Sequence, residues 1–109
     1  MKEKRKKKPK RKRHLRINYK SIVIENCQVS DPDAYLNKKQ GDQAKWISDG
    51  GEFALIFQGK TPFKHSVFVV RDLGTTPSGP VKPSAEGTYK YRVVGDSGCD
   101  VDPNVHIGP

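Results

Sequence analysis

Among the three histidines and two cysteines of this chain, His65, Cys99 and His106 are the candidates for binding a soft metal ion. Thiolate and imidazole both ligate copper or zinc, so a metal centre is the first chemistry these residue types offer. The second is a bond between sulfurs. The two cysteines, Cys27 and Cys99, open similar stretches, Cys27-Gln-Val-Ser-Asp-Pro-Asp and Cys99-Asp-Val-Asp-Pro-Asn. If those turns lead into neighbouring strands, the sulfurs come within range of a disulfide, which needs Cα atoms roughly 4.4 to 6.8 Å apart. A reducing compartment would instead keep both as thiols, and the sequence leaves the two states open. The third chemistry is electrostatic and belongs to Lys4, Arg5, Lys6, Lys7, Lys8, Lys10, Arg11, Lys12 and Arg13. Such a run attracts any polyanion, and each phosphate neutralised on duplex DNA releases roughly 0.9 counterion. It also resembles a nuclear-import or ribosome-associated basic patch, or a solubilising tail. Anionic membrane surfaces would hold it loosely, because it carries no apolar anchor.

Enzymatic chemistry finds less support. Nucleophilic catalysis needs a nucleophile, a base and a group that orients the base. The turn Ser97-Gly98-Cys99-Asp100 offers a thiol with no identifiable partner histidine. Asp31 and Asp33 flank Pro32, and Asp100 and Asp102 lead into Pro103, in turns where carboxylates ordinarily cap backbone N–H groups. A calcium site from these four would need the two loops to adjoin, and the spacing matches no EF-hand. The aromatic set Trp46, Phe53, Phe57, Phe63, Phe68, Tyr89 and Tyr91 could stack bases, but such platforms are usually interleaved with basic residues, and residues 21–109 carry nine Lys and Arg against eleven acids. Core packing accounts better for these rings, while Tyr19 and Tyr35 are expected to be partly exposed.

The charge distribution explains why. Of 109 residues, the first 20 hold twelve Lys and Arg against Glu3, and the remainder holds nine against eleven acids. The basicity is therefore confined to one end. Residues 1–16 have almost nothing to bury and should repel themselves into a disordered arm. Residues 17–109 form one domain, since a second would lack the residues to bury its own core. No run approaches the roughly 18 apolar residues of a membrane span. No apolar stretch of about 7 to 15 residues follows the basic start, so a secretory signal is not expected and the default compartment is the cytoplasm.

Positioning is left to strands. From Ile17 onward short β-branched and aromatic runs alternate with Gly, Pro, Asp and Ser clusters, which indicates an all-β sandwich or barrel. Strands are expected at 18–25, 34–38, 43–47, 53–57, 67–70, 87–94 and 105–107. In 88–93, Tyr89, Tyr91 and Val93 alternate with Lys90 and Arg92, giving one apolar face on an outer strand. Residues 53–57 have no polar member and suit a central strand covered on both sides or one near a sandwich edge. Between Asp72 and Ser84 at most one helical turn is expected.

Taken in order, Ser21-Ile-Val-Ile-Glu-Asn-Cys27, Asp31-Pro32-Asp33, Gly41-Asp42-Gln43-Ala44-Lys45-Trp46, Pro62-Phe63, Phe68, Gly87-Thr88-Tyr89-Lys90-Tyr91 and Asp102-Pro103 resemble the cupredoxin-like β-sandwich family. The resemblance spans nearly all of the chain outside the arm. It implies a Greek-key sandwich of seven or eight strands whose second and last strands lie side by side and parallel. It would place Cys27 and Cys99 at equivalent ends. In the family one copper-binding His precedes a mid-chain strand, and a Cys, a His and a Met lie together in the loop after the Gly-Thr-Tyr strand. Here His65 lies near the first position, but Val93 and Val94 stand where the thiolate would be delivered, and the sole methionine is Met1. Cys99 and His106 are wider apart than the family's ligand loop, and His106 falls in an expected strand, where a solvent-facing or hydrogen-bonded structural role is the ordinary one. The expectation is a non-enzymatic binding or structural domain without a complete type 1 copper site and without a cofactor, carrying a polyanion-binding arm. The alternative is a copper-binding electron-transfer protein using His65, Cys99 and His106.

Overall fold

A computed structural model describes residues 17–96 and 98–109. The stretch 1–16, with the expected disordered arm and its polyanion-binding side chains, lies outside the described residues. In chain order the strands are β1 (Tyr19–Glu25), β2 (Gln28–Val29), β3 (Asp33–Asn37), β4 (Gln43–Ser48), β5 (Phe53–Ile56), β6 (Val67–Val70), β7 (Thr75–Pro77), β8 (Gly87–Lys90), β9 (Arg92–Gly95), β10 (Asp100–Val101) and β11 (Asn104–Gly108). Among the described residues no helix is long and apolar enough to cross a membrane.

One layer has the order β2-β1-β4-β7; opposite it lie β3-β11-β8 and β10-β9-β5-β6. The last two join through the continuous segment β8–β9, which leaves one sheet and enters the other at Tyr91. There the Tyr91 N–H donates to the Pro103 carbonyl at 3.0 Å instead of to a ladder partner. This is why the single strand expected at 87–94 is split. Its alternation holds, with Tyr91 and Val93 buried and Arg92 turned outward. Its position differs from the outer strand expected, because β9 lies between β10 and β5. The parallel pairing of second and last expected strands is present as β3 with β11, Asp33 opposite Asn104 and Leu36 opposite Ile107.

Two other expectations are corrected. The stretch after Asp72, in which no strand was expected, contains β7, paired with β4 through Trp46 and Thr76, and a bridge from Phe63 to Val81, within the limit of at most one helical turn. β5 is central in its sheet yet covered on one face: Phe53 and Leu55 are buried while Ala54 and Ile56 are half-buried. Its apolar outer face continues onto β6 as Val67 and Val69.

β1 and β4 run in parallel register toward one end of the sandwich. At that end lie the β1–β2 turn, the 49–52 loop, the 71–74 loop and the β9–β10 connection. Asp49 N–H donates to the Ile24 carbonyl and Gly51 N–H to Asp72 Oδ1, which ties these loops together. The loops 38–42, 57–66 and 78–86 are gathered at the opposite end. There Gln43 N–H reaches the Asn18 carbonyl, Phe57 N–H the Ser66 carbonyl and Lys82 N–H the Pro62 carbonyl.

Alternation along the strands delivers one core. Trp46, with no exposed surface, sits at its centre against Phe68 at 5.2 Å, Tyr91 at 5.7 Å and Phe63 at 6.1 Å between ring centroids. Phe57 stacks on Tyr91 at 5.0 Å. The Trp46 indole N–H donates to the Tyr91 hydroxyl at 3.1 Å, so the indole nitrogen is buried with a partner. Burial pushes the Tyr91 phenol up to about 12, against the lowering effect of that hydrogen bond. Most of the aromatic set is therefore core and not a stacking platform, while Tyr35 and Tyr19 are exposed as expected.

Candidate functional site: a disulfide-closed pole and a polar sheet face

The pole is built by two tight devices. Asn26 and Cys27 have φ of 52° and 62° in the two-residue connection between β1 and β2, the geometry of a type I′ hairpin that requires positive φ at both central positions. Asn tolerates that region well, Cys less so. The turn holds Cys27 over the end of β9. From the other side, Gly95 N–H donates to the Cys99 carbonyl at 3.0 Å, closing the 95–99 connection. The result is a Cys27–Cys99 disulfide with Cα atoms 5.4 Å apart. Gly95 is needed for this fit: a Cβ there would lie 2.8 Å from the Phe53 ring and 3.2 Å from the Cys99 Cβ. Around the bond is a shallow cleft of about 350 Å³, lined in part by Glu52, Phe53 and Asp96.

The three expected metal ligands do not converge. Cys99 is buried and its sulfur is spent in the disulfide. His65 lies at the opposite end of β5, since its neighbour Ser66 accepts from Phe57 whereas Phe53 pairs with Gly95. Its ring meets the edge of Phe68 with centroids 6.3 Å apart. His106 is on the outer face of β11. Among the described residues no group of three His, Cys, Asp or Glu side chains could hold a metal ion. The ligand set read from sequence is corrected on this geometry, and the calcium alternative from the four acids fails with it. Asp31 caps the Asp33 N–H at 3.2 Å, as a turn carboxylate should. Asp100 instead takes two hydrogen bonds from Arg92, at 2.6 and 3.2 Å. That pairing holds the Asp100 carboxyl below its usual range.

A second polar cluster was not foreseen. The register of β3 with β11 places Tyr35 opposite His106, and that of β11 with β8 places His106 opposite Thr88. The His106 ring nitrogens lie 2.8 Å from Thr88 Oγ1 and 2.9 Å from Asp33 Oδ1, and Tyr35 stacks on the imidazole at 4.4 Å. Asn104 also donates to Asp33, at 3.3 Å. The His106 hydrogen bond, then that from Asn104, lowers the Asp33 carboxyl below its ordinary value. Hydroxyl, imidazole and carboxylate in line have the ingredients of a nucleophile and its base. The face is open, with Tyr35 65% exposed, and nothing excludes water or gathers donors for a developing oxyanion. This is a cross-strand polar ladder, and the hydrogen-bonded structural role expected for His106 describes it. Period-two alternation of Asp33 with Tyr35 and of Asn104 with His106 would have revealed it, had the strand register been known.

Two layers, a long strand that changes sheet at Tyr91, and parallel pairing of β1 with β4 and of β3 with β11 define a cupredoxin-like β-sandwich. Among solved structures, the chain is similar to a copper(I) form of a methionine mutant of amicyanin, with a TM-score of 0.61 and 13% identity over 80% of this chain and 79% of that one. It is also similar to a reduced tryptophan-to-tyrosine mutant of amicyanin, with a TM-score of 0.63 and 12% identity over 83% and 82%. By sequence, the chain matches no protein-family model and no curated protein. The likeness establishes the fold. The copper that such a fold family implies does not fit here: the loop after β9 holds its one cysteine in a disulfide, and the preceding strand presents Val93, fully buried, in place of a sulfur donor.

Proposed function

We propose that the chain is a non-enzymatic cupredoxin-like binding domain, in which a structural disulfide occupies the pole that relatives give to copper, and which attaches to polyanions through its polybasic segment. The observation that carries this reading is the Cys27–Cys99 bond at the end of β9. Blue-copper chemistry needs a free thiolate with two imidazoles in a trigonal set, and here the sulfur is bonded and the imidazoles are on other surfaces. The catalytic reading loses support because the Thr88, His106 and Asp33 ladder is open to water. Disulfides persist in oxidising surroundings, so in this reading the cytoplasmic expectation gives way to an oxidising compartment.

Titration of the oxidised full chain with Cu(II), followed by visible absorbance, tests the copper-free assignment. No intense thiolate-to-copper band is expected at any ratio. A strong visible band growing to one equivalent and lost in Cys99→Ser would overturn it in favour of electron transfer.

A further inference from the structure

The outer faces of the sandwich differ in kind. Every row across β3, β11 and β8 carries hydrogen-bonding side chains, such as Asp33 with Asn104 and His106 with Thr88. On β1 and β4, Ser21, Gln43 and Lys45 interrupt the apolar residues, with Lys45 over the Tyr19 ring at 4.9 Å. The face of β5 and β6 has no such break. Ala54 and Ile56 point outward from β5 and Val67 and Val69 from β6, the last two 55% and 49% exposed. The register sets them in rows, Val94 beside Ala54 and Val69, then Arg92 beside Ile56 and Val67. A contiguous apolar patch on a sheet face marks an interaction surface when polar residues rim it.

Charges supply that rim. Continued toward the disulfide end, the register brings Asp96, Glu52 and Arg71 into one row. Toward the other end it brings Lys90, Gln58 and His65 together, where a cleft of about 400 Å³ opens with Ile56, Gln58, Lys90 and Arg92 in its wall. Two acids therefore stand at one end of the apolar rows, and a lysine beside a hollow at the other. A two-fold axis running across the strands at Leu55 fits this pattern to itself. It lays Ala54 on Ile56, Val69 on Val67 and Asp96 on Lys90 of a second copy, small on large and minus on plus, with Glu52 over Gln58 at the cleft and Arg71 over the His65 ring. An axis along the strands would instead set Glu52 on Glu52 and Ile56 on Ile56, and like charges brought into contact oppose association. The one adverse pair under the first axis, Asp100 near Asp102, falls at the β10 corner, where Arg92 already holds Asp100 by two hydrogen bonds.

We propose that two copies of this chain associate face to face through β10-β9-β5-β6, with their strands antiparallel. Ala54, Ile56, Val67 and Val69 of both copies form the centre, and Asp96 of each meets Lys90 of the other at the rim. Facing sheets pack about 10 Å apart with strands inclined by about 30°. Pairing through the edge of β6 is the poorer use of the same residues, because Thr76 Oγ1 donates to the Val69 carbonyl at 2.7 Å and β7 lies against that edge. The footprint is four strands wide and runs from Glu52 to Gln58, about 19 by 20 Å, which belongs to weak, reversible interfaces. The contact is isologous, so it closes at two copies.

Sedimentation equilibrium of the oxidised full chain tests this, in about 0.15 M salt to screen distant charges. The natural sequence is expected to be monomeric near about 1 µM and largely dimeric near about 1 mM, as suits an interface of this size. Val67→Lys with Val69→Lys should weaken self-association by at least about a hundredfold, because four lysines would be buried unpaired at the centre. Its melting midpoint should not move, both side chains being exposed. Lys90→Glu and Asp96→Lys should each weaken association by about tenfold, since each puts two like-charge contacts in place of two attractive ones. The two changes together should restore it, which a merely structural role for either residue would not produce. A chain that stays monomeric near about 1 mM, that grows beyond a dimer, or that associates regardless of the valine changes would overturn the proposal. Loss in the valine variant with no effect of either charge change would assign the contact to the edge of β6 and overturn the face-to-face arrangement.

Discussion

Replacing Cys27 and Cys99 together by serine is expected to lower the unfolding midpoint of the domain by about 15 to 30 °C. The bond closes a loop with a sequence separation of 72, and in the chain-entropy account a loop of that length restricts the unfolded chain by about 4 kcal/mol. For a domain of this size each kcal/mol moves the midpoint by about 4 to 8 °C. Each serine occupies nearly the space of the cysteine it replaces and Cys27 is half-buried, so the direct loss in the folded state is confined to a hydroxyl placed at the buried position of Cys99. What goes with the bond is the tie between the β1–β2 turn and the β9–β10 connection, which belong to opposite layers. Thermal unfolding followed by circular dichroism, with the reduced natural protein as a second arm, measures the effect. A shift below about 5 °C in both arms would show that core packing holds the two layers at that end without the disulfide.

Trp46→Ala should be the most damaging single change, costing about 3 to 5 kcal/mol out of the roughly 5 to 15 kcal/mol that keeps a domain folded. Trp46 is the largest side chain with no exposure and touches Phe68 and Tyr91 of the opposite layer and Phe63 of the 57–66 loop. Its removal leaves a void, and it also leaves the Tyr91 hydroxyl buried without the indole donor, for which about 1 to 3 kcal/mol is the usual cost. Urea unfolding of Trp46→Phe, Tyr91→Phe and the pair separates the two contributions. The double change should cost less than the sum of the single ones, because the hydrogen bond can be lost only once. Strict additivity would contradict a direct Trp46–Tyr91 interaction, and a loss below about 1 kcal/mol for Trp46→Ala would contradict its central place.

The layers were legible where alternation carried them. Tyr89, Tyr91 and Val93 announced a buried face, whereas the Greek key came only from the family resemblance carried by Ser21 to Cys27 and the Gly-Thr-Tyr segment. The sheet change at Tyr91 was not legible, because its cause is an acceptor twelve residues away, the Pro103 carbonyl. β7 was hidden because Gly74-Thr-Thr-Pro-Ser-Gly-Pro reads as turn chemistry, and only its pairing with Lys45 to Ile47 makes Thr75 to Pro77 a strand. His65 was misplaced for a topological reason. Nearness to Phe68 in sequence does not say which end of the sandwich the loop occupies, and β5 carries the chain away from the disulfide end before His65 is reached. The sulfur pairing was half legible: matched stretches after Cys27 and Cys99 hinted at adjoining turns, while the 5.4 Å Cα separation that permits a bond depends on two positive-φ residues.

The claim on which the functional account depends is that no free thiol exists at the end of β9. Peptide mapping of the purified, alkylated protein without reductant reads this directly. One cross-linked peptide containing Cys27 and Cys99, with neither residue alkylated, is the result this structure requires. Alkylation of both cysteines in protein isolated under oxidising conditions would contradict it and restore a thiolate for metal to claim.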